Sequence, residues 1–262
     1  MTPWTVLRGA LRDQRRGVAA WTLAVAAVAA MYPAFYPTIG AAKFEVMLDA
    51  MPGVAEVMGF DAMLSAAGYV GATVYSLLDV LLVLVFAITT GARLIAGDEE
   101  AGVLELDFAA PVPRRRVFLE RLAVLWLGVA VLVAGVTAVL LLMSWALDLG
   151  LAPAHVAAAS TGMLAYCGTV GTVAYGVGAA TGRRAHGGGA AAGLAVTAFL
   201  FNYLGPLVPA RWMVDVSPFS WYIADDPVLH GFDWDGLGML VALAALAVLG
   251  GWLGFRRRDL MV

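Results

Sequence analysis

Residues 66–90 read AAGYVGATVYSLLDVLLVLVFAITT, an apolar run interrupted by one carboxylate, Asp79. At ~1.5 Å of helical rise per residue, the run is long enough to cross a hydrocarbon layer of ~30 Å. An acid at the centre of such a span costs about 2.5 to 3.5 kcal/mol, and the strongly apolar residues from Leu77 to Ile88 offset it at roughly 0.3 to 0.6 kcal/mol each. The segment therefore inserts. Asp79 is expected to face the helix bundle or a dimer cavity, close to Tyr75 and Ser76, instead of lipid.

Five further runs have the same character: Gly17 to Tyr36, Leu122 to Leu147, Val156 to Thr181, Gly188 to Leu207 and Gly236 to Phe255. With 62% hydrophobic and only 13% charged residues, the chain of 262 residues is far more apolar than a soluble domain, which carries ~25% charge. The expected fold is all-α, a single polytopic domain over 1–262 with six transmembrane helices. Every basic residue except Lys43 and Arg211 falls at the same ends of these runs: Arg8 to Arg16, Arg93 to Arg121, Arg183 with Arg184, and Arg256 to Arg258. The positive-inside bias then puts both termini and those connectors in the cytoplasm. A signal-peptide reading of the first run is rejected, because the run exceeds a typical h-region and five more spans follow.

Three segments lie outside the spans. Residues 1–16 place Trp4, Leu7 and Leu11 at helical spacing with Arg8, Arg12 and Arg16 alongside, which suits an interfacial helix with Thr2 and Pro3 at its start. On the outer side, Phe44, Met47, Leu48 and Met51 form the stripe of a short amphipathic helix that Pro52 and Gly53 end. Residues 209–235 form an outer connector, with Trp212, Phe219, Trp221, Tyr222, Phe232 and Trp234 set among acids as in an interfacial aromatic belt.

Catalytic chemistry is hard to place. The single lysine, Lys43, precedes Phe44 and lacks a glycine-rich turn, so no phosphate-binding P-loop is present. His155, His186 and His230 sit in separate connectors, and no G-x-S-x-G elbow occurs. Asp225 and Asp226 lack a third acid at the spacing of a diphosphate motif, since Leu229 stands there, and read as a solvated loop. The one cysteine, Cys167, excludes an internal disulfide. Glycines such as Gly189 with Gly193, and Gly168 with Gly171, would allow helices to approach closely.

The cytoplasmic segment 94–121 stands apart. Gly97-Asp-Glu-Glu-Ala-Gly-Val-Leu-Glu-Leu-Asp-Phe-Ala-Ala-Pro-Val-Pro-Arg-Arg-Arg116 is too polar for lipid. Its acids Asp98, Glu99 and Glu100 suit a helix start, with Val103, Leu104 and Leu106 as apolar contacts and Pro111 and Pro113 as the stop.

This run, with Pro111-Val-Pro-Arg-Arg-Arg116 and the closing Phe255-Arg-Arg-Arg-Asp-Leu260, resembles the signature of type-2 ABC exporter permeases. Pro113 stands where the family often has Ser, and Asp107 where it is usually apolar. The stretch Met31-Tyr-Pro-Ala-Phe-Tyr-Pro37 is similar to one subgroup. The resemblance implies a plasma-membrane permease that pairs with a second copy of itself or a related permease. It would dock two ABC ATPase subunits on its inner face and bind no nucleic acid. The chain would hold no cofactor, and ATP and Mg would sit on the ATPase. Glu99, Glu100, Gly102, Leu104, Glu105, Leu106, Pro111 and Arg114 would then form the ATPase-coupling surface, Arg114 also meeting anionic headgroups. Asp79, Tyr75 and Asn202 are the candidates for the substrate pathway. One alternative is a proton-coupled secondary transporter using Asp79, against which stand the single intramembrane acid and the lack of inverted repeats. An intramembrane enzyme is disfavoured because no paired acid, nucleophile or metal constellation is present.

Overall fold

The computed structural model describes residues 5–50, 65–102 and 113–258, and the side chains of all of these except 5–8 and 38–50. Among the described residues, every regular element is a helix. In chain order they are α1 (Thr5–Ala50), α2 (Ala66–Glu100), α3 (Arg114–Ala146), α4 (Pro153–Thr181), α5 (Arg184–Leu204), α6 (Trp212–Asp215), α7 (Pro218–Ile223), α8 (Pro227–His230) and α9 (Trp234–Arg257). Six of them, α1 to α5 and α9, are long and apolar enough to cross a membrane, as the sequence predicts.

The first span differs in its ends. Where the sequence divides a basic flank, a span and an outer helix, the structure has one α-helix from Thr5 to Ala50 that continues through Pro33 and Pro37. Each proline removes one backbone donor, which an otherwise apolar helix tolerates. Thr2 and Pro3 lie outside the described residues.

Helix α4 is the hub. It packs against α2, α3, α5 and α9, while α1 rests mainly on α3. In its most apolar stretch 78% of residues are buried, against 17% to 44% in the other spans, so α4 is the most enclosed span among the described residues. The cause is its run of small residues. A side chain on Gly176 would stand 2.6 Å from the Ala247 carbonyl of α9, and one on Gly251 would stand 2.5 Å from Gly176 Cα. Gly91 of α2 and Gly187 of α5 likewise meet α4 backbone, at Gly171 and Ala174. Helices with no hydrophobic drive to associate gain most of their cohesion from such close backbone approach. Of the glycines singled out in the sequence, Gly168 admits the ring of Trp126 and Gly171 abuts Ala87, whereas Gly189 and Gly193 meet nothing within 4 Å.

Gly91→Ala is therefore expected to destabilise the bundle by about 1–3 kcal/mol, because its methyl would strike a carbonyl and not a flexible side chain. Gly189→Ala, on an open face, should cost nothing. Thermal unfolding of both variants in detergent checks this, and equal stability of the two would refute it.

The outer connector is more than a belt. Phe219 and Tyr222 of α7 are buried, the Tyr222 ring stacks on Tyr166 of α4 at 5.5 Å, and its hydroxyl donates to the Tyr75 carbonyl of α2 at 2.8 Å. Trp212 and Trp234 remain exposed, as belt residues do. Asp233 has a local task, its Oδ1 accepting the Gly236 N–H at the start of α9 at 2.9 Å.

Candidate functional site

Helix α2 carries both candidate regions, and its backbone is irregular at both. Residues Gly71–Leu78 and Arg93–Gly97 are π-helical, with regular α-helix Asp79–Ala92 between them. Widened turns of this kind often mark functional positions. The first ends at Asp79 and the second ends at the acid triplet Asp98, Glu99 and Glu100.

The triplet does not start a new helix, contrary to the sequence expectation. It forms the last turn of α2. Gly102 follows with φ +69°, the left-handed conformation that ends helices and that glycine adopts without strain. A side chain on Gly102 would meet no described atom within 4 Å, so within this chain the residue serves chain direction and not close approach.

Three carboxylates at a helix C-terminus face the negative end of the helix dipole, an unfavourable placement unless cations offset it. Each acid finds a partner on a different helix. Asp98 Oδ2 pairs with Arg121 Nη1 of α3 at 2.6 Å, and the same nitrogen donates to the Leu94 carbonyl. Glu99 takes a two-pronged contact from Arg258, just past α9, with Nη1 to Oε1 at 2.9 Å and Nη2 to Oε2 at 2.5 Å. Glu100 Oε1 accepts the backbone N–H of Arg184, at the positive end of α5, at 2.9 Å. Arg114 Nη1 adds a bond to the Arg258 carbonyl at 3.0 Å. Gly182, which closes α4 at φ +70°, leaves the space that the Arg258 guanidinium occupies.

The end of α2 is thus fastened to α3, α5 and the tail of α9. Glu99 and Arg114, both expected to face a partner protein or headgroups, spend bonds inside the chain. Leu104, Glu105, Leu106 and Pro111 lie outside the described residues. Arg121 and Arg258 are the partners of the acids that sequence reasoning left unassigned. Their signals were position at the same end as the acids and, for Arg258, a place in the closing Phe255–Leu260 stretch.

Asp79 is fully buried, and neither carboxylate oxygen has a hydrogen-bond partner among the described residues. A buried acid left this way requires an explanation other than stability. Tyr75, one turn earlier, points elsewhere: its hydroxyl lies 2.8 Å from Ser160 Oγ, which also accepts from Thr137 at 2.7 Å. Asn202 uses Oδ1 to accept from Ser220 at 2.9 Å, tying α5 to α7. Tyr75 and Asn202 therefore act as struts and do not join Asp79 in one polar site. Beside them, α2 and α5 enclose an apolar groove of about 280 Å³ whose walls include Leu81, Val196, Phe199 and Leu200.

No curated protein sequence matches the chain. Residues 5–256, which take in all six spans, Asp79 and the acid triplet, match the family described as the C-terminal domain of the multidrug efflux system permease Rv1217c. The chain belongs to that family, and it is a membrane permease of the ABC-2 type.

Proposed function

We propose that the chain is the membrane-spanning subunit of an ATP-driven exporter in the plasma membrane, with its arginine-rich end in the cytoplasm. Two ATPase subunits, holding ATP and Mg, dock there, and a second permease copy or a related chain completes the pathway. The observation that carries the reading is the fastening of the α2 end to three other helices. A force applied to the connector between α2 and α3 would move α2, α3, α5 and α9 together, as coupling through a rigid two-state element requires. The groove between α2 and α5 suits an apolar or amphipathic substrate. The unpartnered Asp79 favours a second reading, proton-coupled transport by the chain alone, which dependence on a proton gradient without ATPase would reveal.

Since Glu99 and Glu100 are engaged within the chain, Glu105 is the connector acid assigned to the ATPase. Close, desolvated charge pairs at interfaces are worth about 1.5–7 kcal/mol. Glu105→Arg should release the ATPase in co-purification or abolish drug-stimulated hydrolysis, with membrane insertion normal. Full assembly together with full transport in this variant would reduce the connector to a charged loop.

A further inference from the structure

Between α1, α2 and α5, at the arginine-rich end, lies a pocket of about 260 Å³, next to the acid triplet but lined by none of its carboxylates. Its polar wall carries Arg93 from α2 and Arg184 from α5. The two side chains converge over Gly97, where an added methyl would stand 2.9 Å from Arg93 Cγ and 3.8 Å from Arg184 Cδ. Among the described residues neither guanidinium is in a salt bridge, although other arginines at this end find carboxylates. Gln14 of α1, only 9% exposed, lines the same space. The opposite wall is apolar, with Trp21 of α1 set edge-on to Phe86 of α2 at 6.1 Å. One carboxylate, Asp13, shares the lining and balances one of the two cations.

We infer that this pocket binds the anionic phosphate headgroup of a membrane phospholipid. Like charges held side by side at a membrane surface call for an anion, and guanidinium forks match phosphate oxygens in geometry. Gln14 can donate a further hydrogen bond. The Trp21 and Phe86 wall continues the site towards the apolar faces of α1 and α2, which suits an acyl chain more than a small soluble phosphate. The inference rests on membrane placement alone and does not depend on ATP coupling or on Asp79.

The test is native mass spectrometry of the detergent-purified full chain, titrated separately with phosphatidylglycerol and phosphatidylcholine. One phosphatidylglycerol should be retained at least about tenfold more tightly than phosphatidylcholine. Arg93→Gln with Arg184→Gln should lower that retention by about tenfold or more, Arg93→Lys with Arg184→Lys should keep most of it, and Arg183→Gln should leave it unchanged. Three results would overturn the site: equal retention of the two lipids, an equal loss in Arg183→Gln, or an unchanged double Gln variant. Displacement of the lipid by equimolar glycerol phosphate would overturn the lipid assignment and leave a soluble phosphate as the occupant. Arg93, Arg183 and Arg184 are all exposed, so their replacement should leave the bundle intact, and a melting curve for each variant confirms it.

Discussion

Arg258→Met is expected to destabilise the protein by about 3 kcal/mol, the loss that follows when a buried ion pair is broken on one side. Exposure decides the size. The side chains of Glu99 and Arg258 are 3% and 18% exposed, so the pair belongs with buried ion pairs and not with surface pairs worth about 0–1 kcal/mol. Removing the guanidinium deprives a buried carboxylate of its two-pronged partner at the unfavourable end of a helix dipole. It also releases the Arg258 backbone contact with Arg114 if the tail shifts. Adding Glu99→Gln to Arg258→Met should recover a good part of the loss, because a neutral amide tolerates burial better than a carboxylate stripped of its two-pronged guanidinium contact. Denaturant or thermal unfolding in detergent supplies the measurement. A loss below about 1 kcal/mol, or a double variant no better than the single, would place the pair in the surface class.

Asp79→Asn should lower transport by at least about tenfold, corresponding to about 1.4 kcal/mol, and leave thermal stability unchanged or raised. The carboxylate is buried and its oxygens find no partner among the described residues, so the native fold gains nothing from the acid that the amide would forfeit. Asp79→Leu should go further and stabilise by about 1–3 kcal/mol, the cost of leaving a buried polar group unsatisfied. A residue that weakens the fold and is still required for turnover is the pattern of a stability–activity trade-off. Normal transport in Asp79→Asn would remove the carboxylate from the mechanism, and a large fall in melting temperature would make it a structural group instead.

The six spans were legible because each is a continuous apolar run, and Asp79 was legible as interior because lipid exposure of an acid is so costly. The partners of the acid triplet were not. Arg121 and Arg258 lie far from Glu99 and Asp98 along the chain, and charge composition alone says only that they share an end. The same composition suggested a helix start at Asp98, since acids favour helix N-termini. Here three cation or dipole partners outweigh that local preference. The partners of Tyr75 and Asn202 were not legible for a similar reason: a polar group in a span signals interior placement without saying which neighbour it faces. The π-helical stretches of α2 left no mark in the sequence, because residues such as Val74, Tyr75, Leu94 and Ile95 are equally at home in regular helix.

Those two stretches bear on how such a helix can change length over evolutionary time. In a regular α-helix an inserted or deleted residue turns everything beyond it by about 100°, given 3.6 residues per turn. A π turn, whose hydrogen bonds reach one residue further, already holds a surplus residue. Losing one there tightens the turn and leaves the two flanking faces in phase. Within Gly71–Leu78 or Arg93–Gly97 the chain can thus shed a residue while Asp79 still points inward and Glu99 still meets Arg258, whereas an indel between Asp79 and Ala92 would set those two groups against each other.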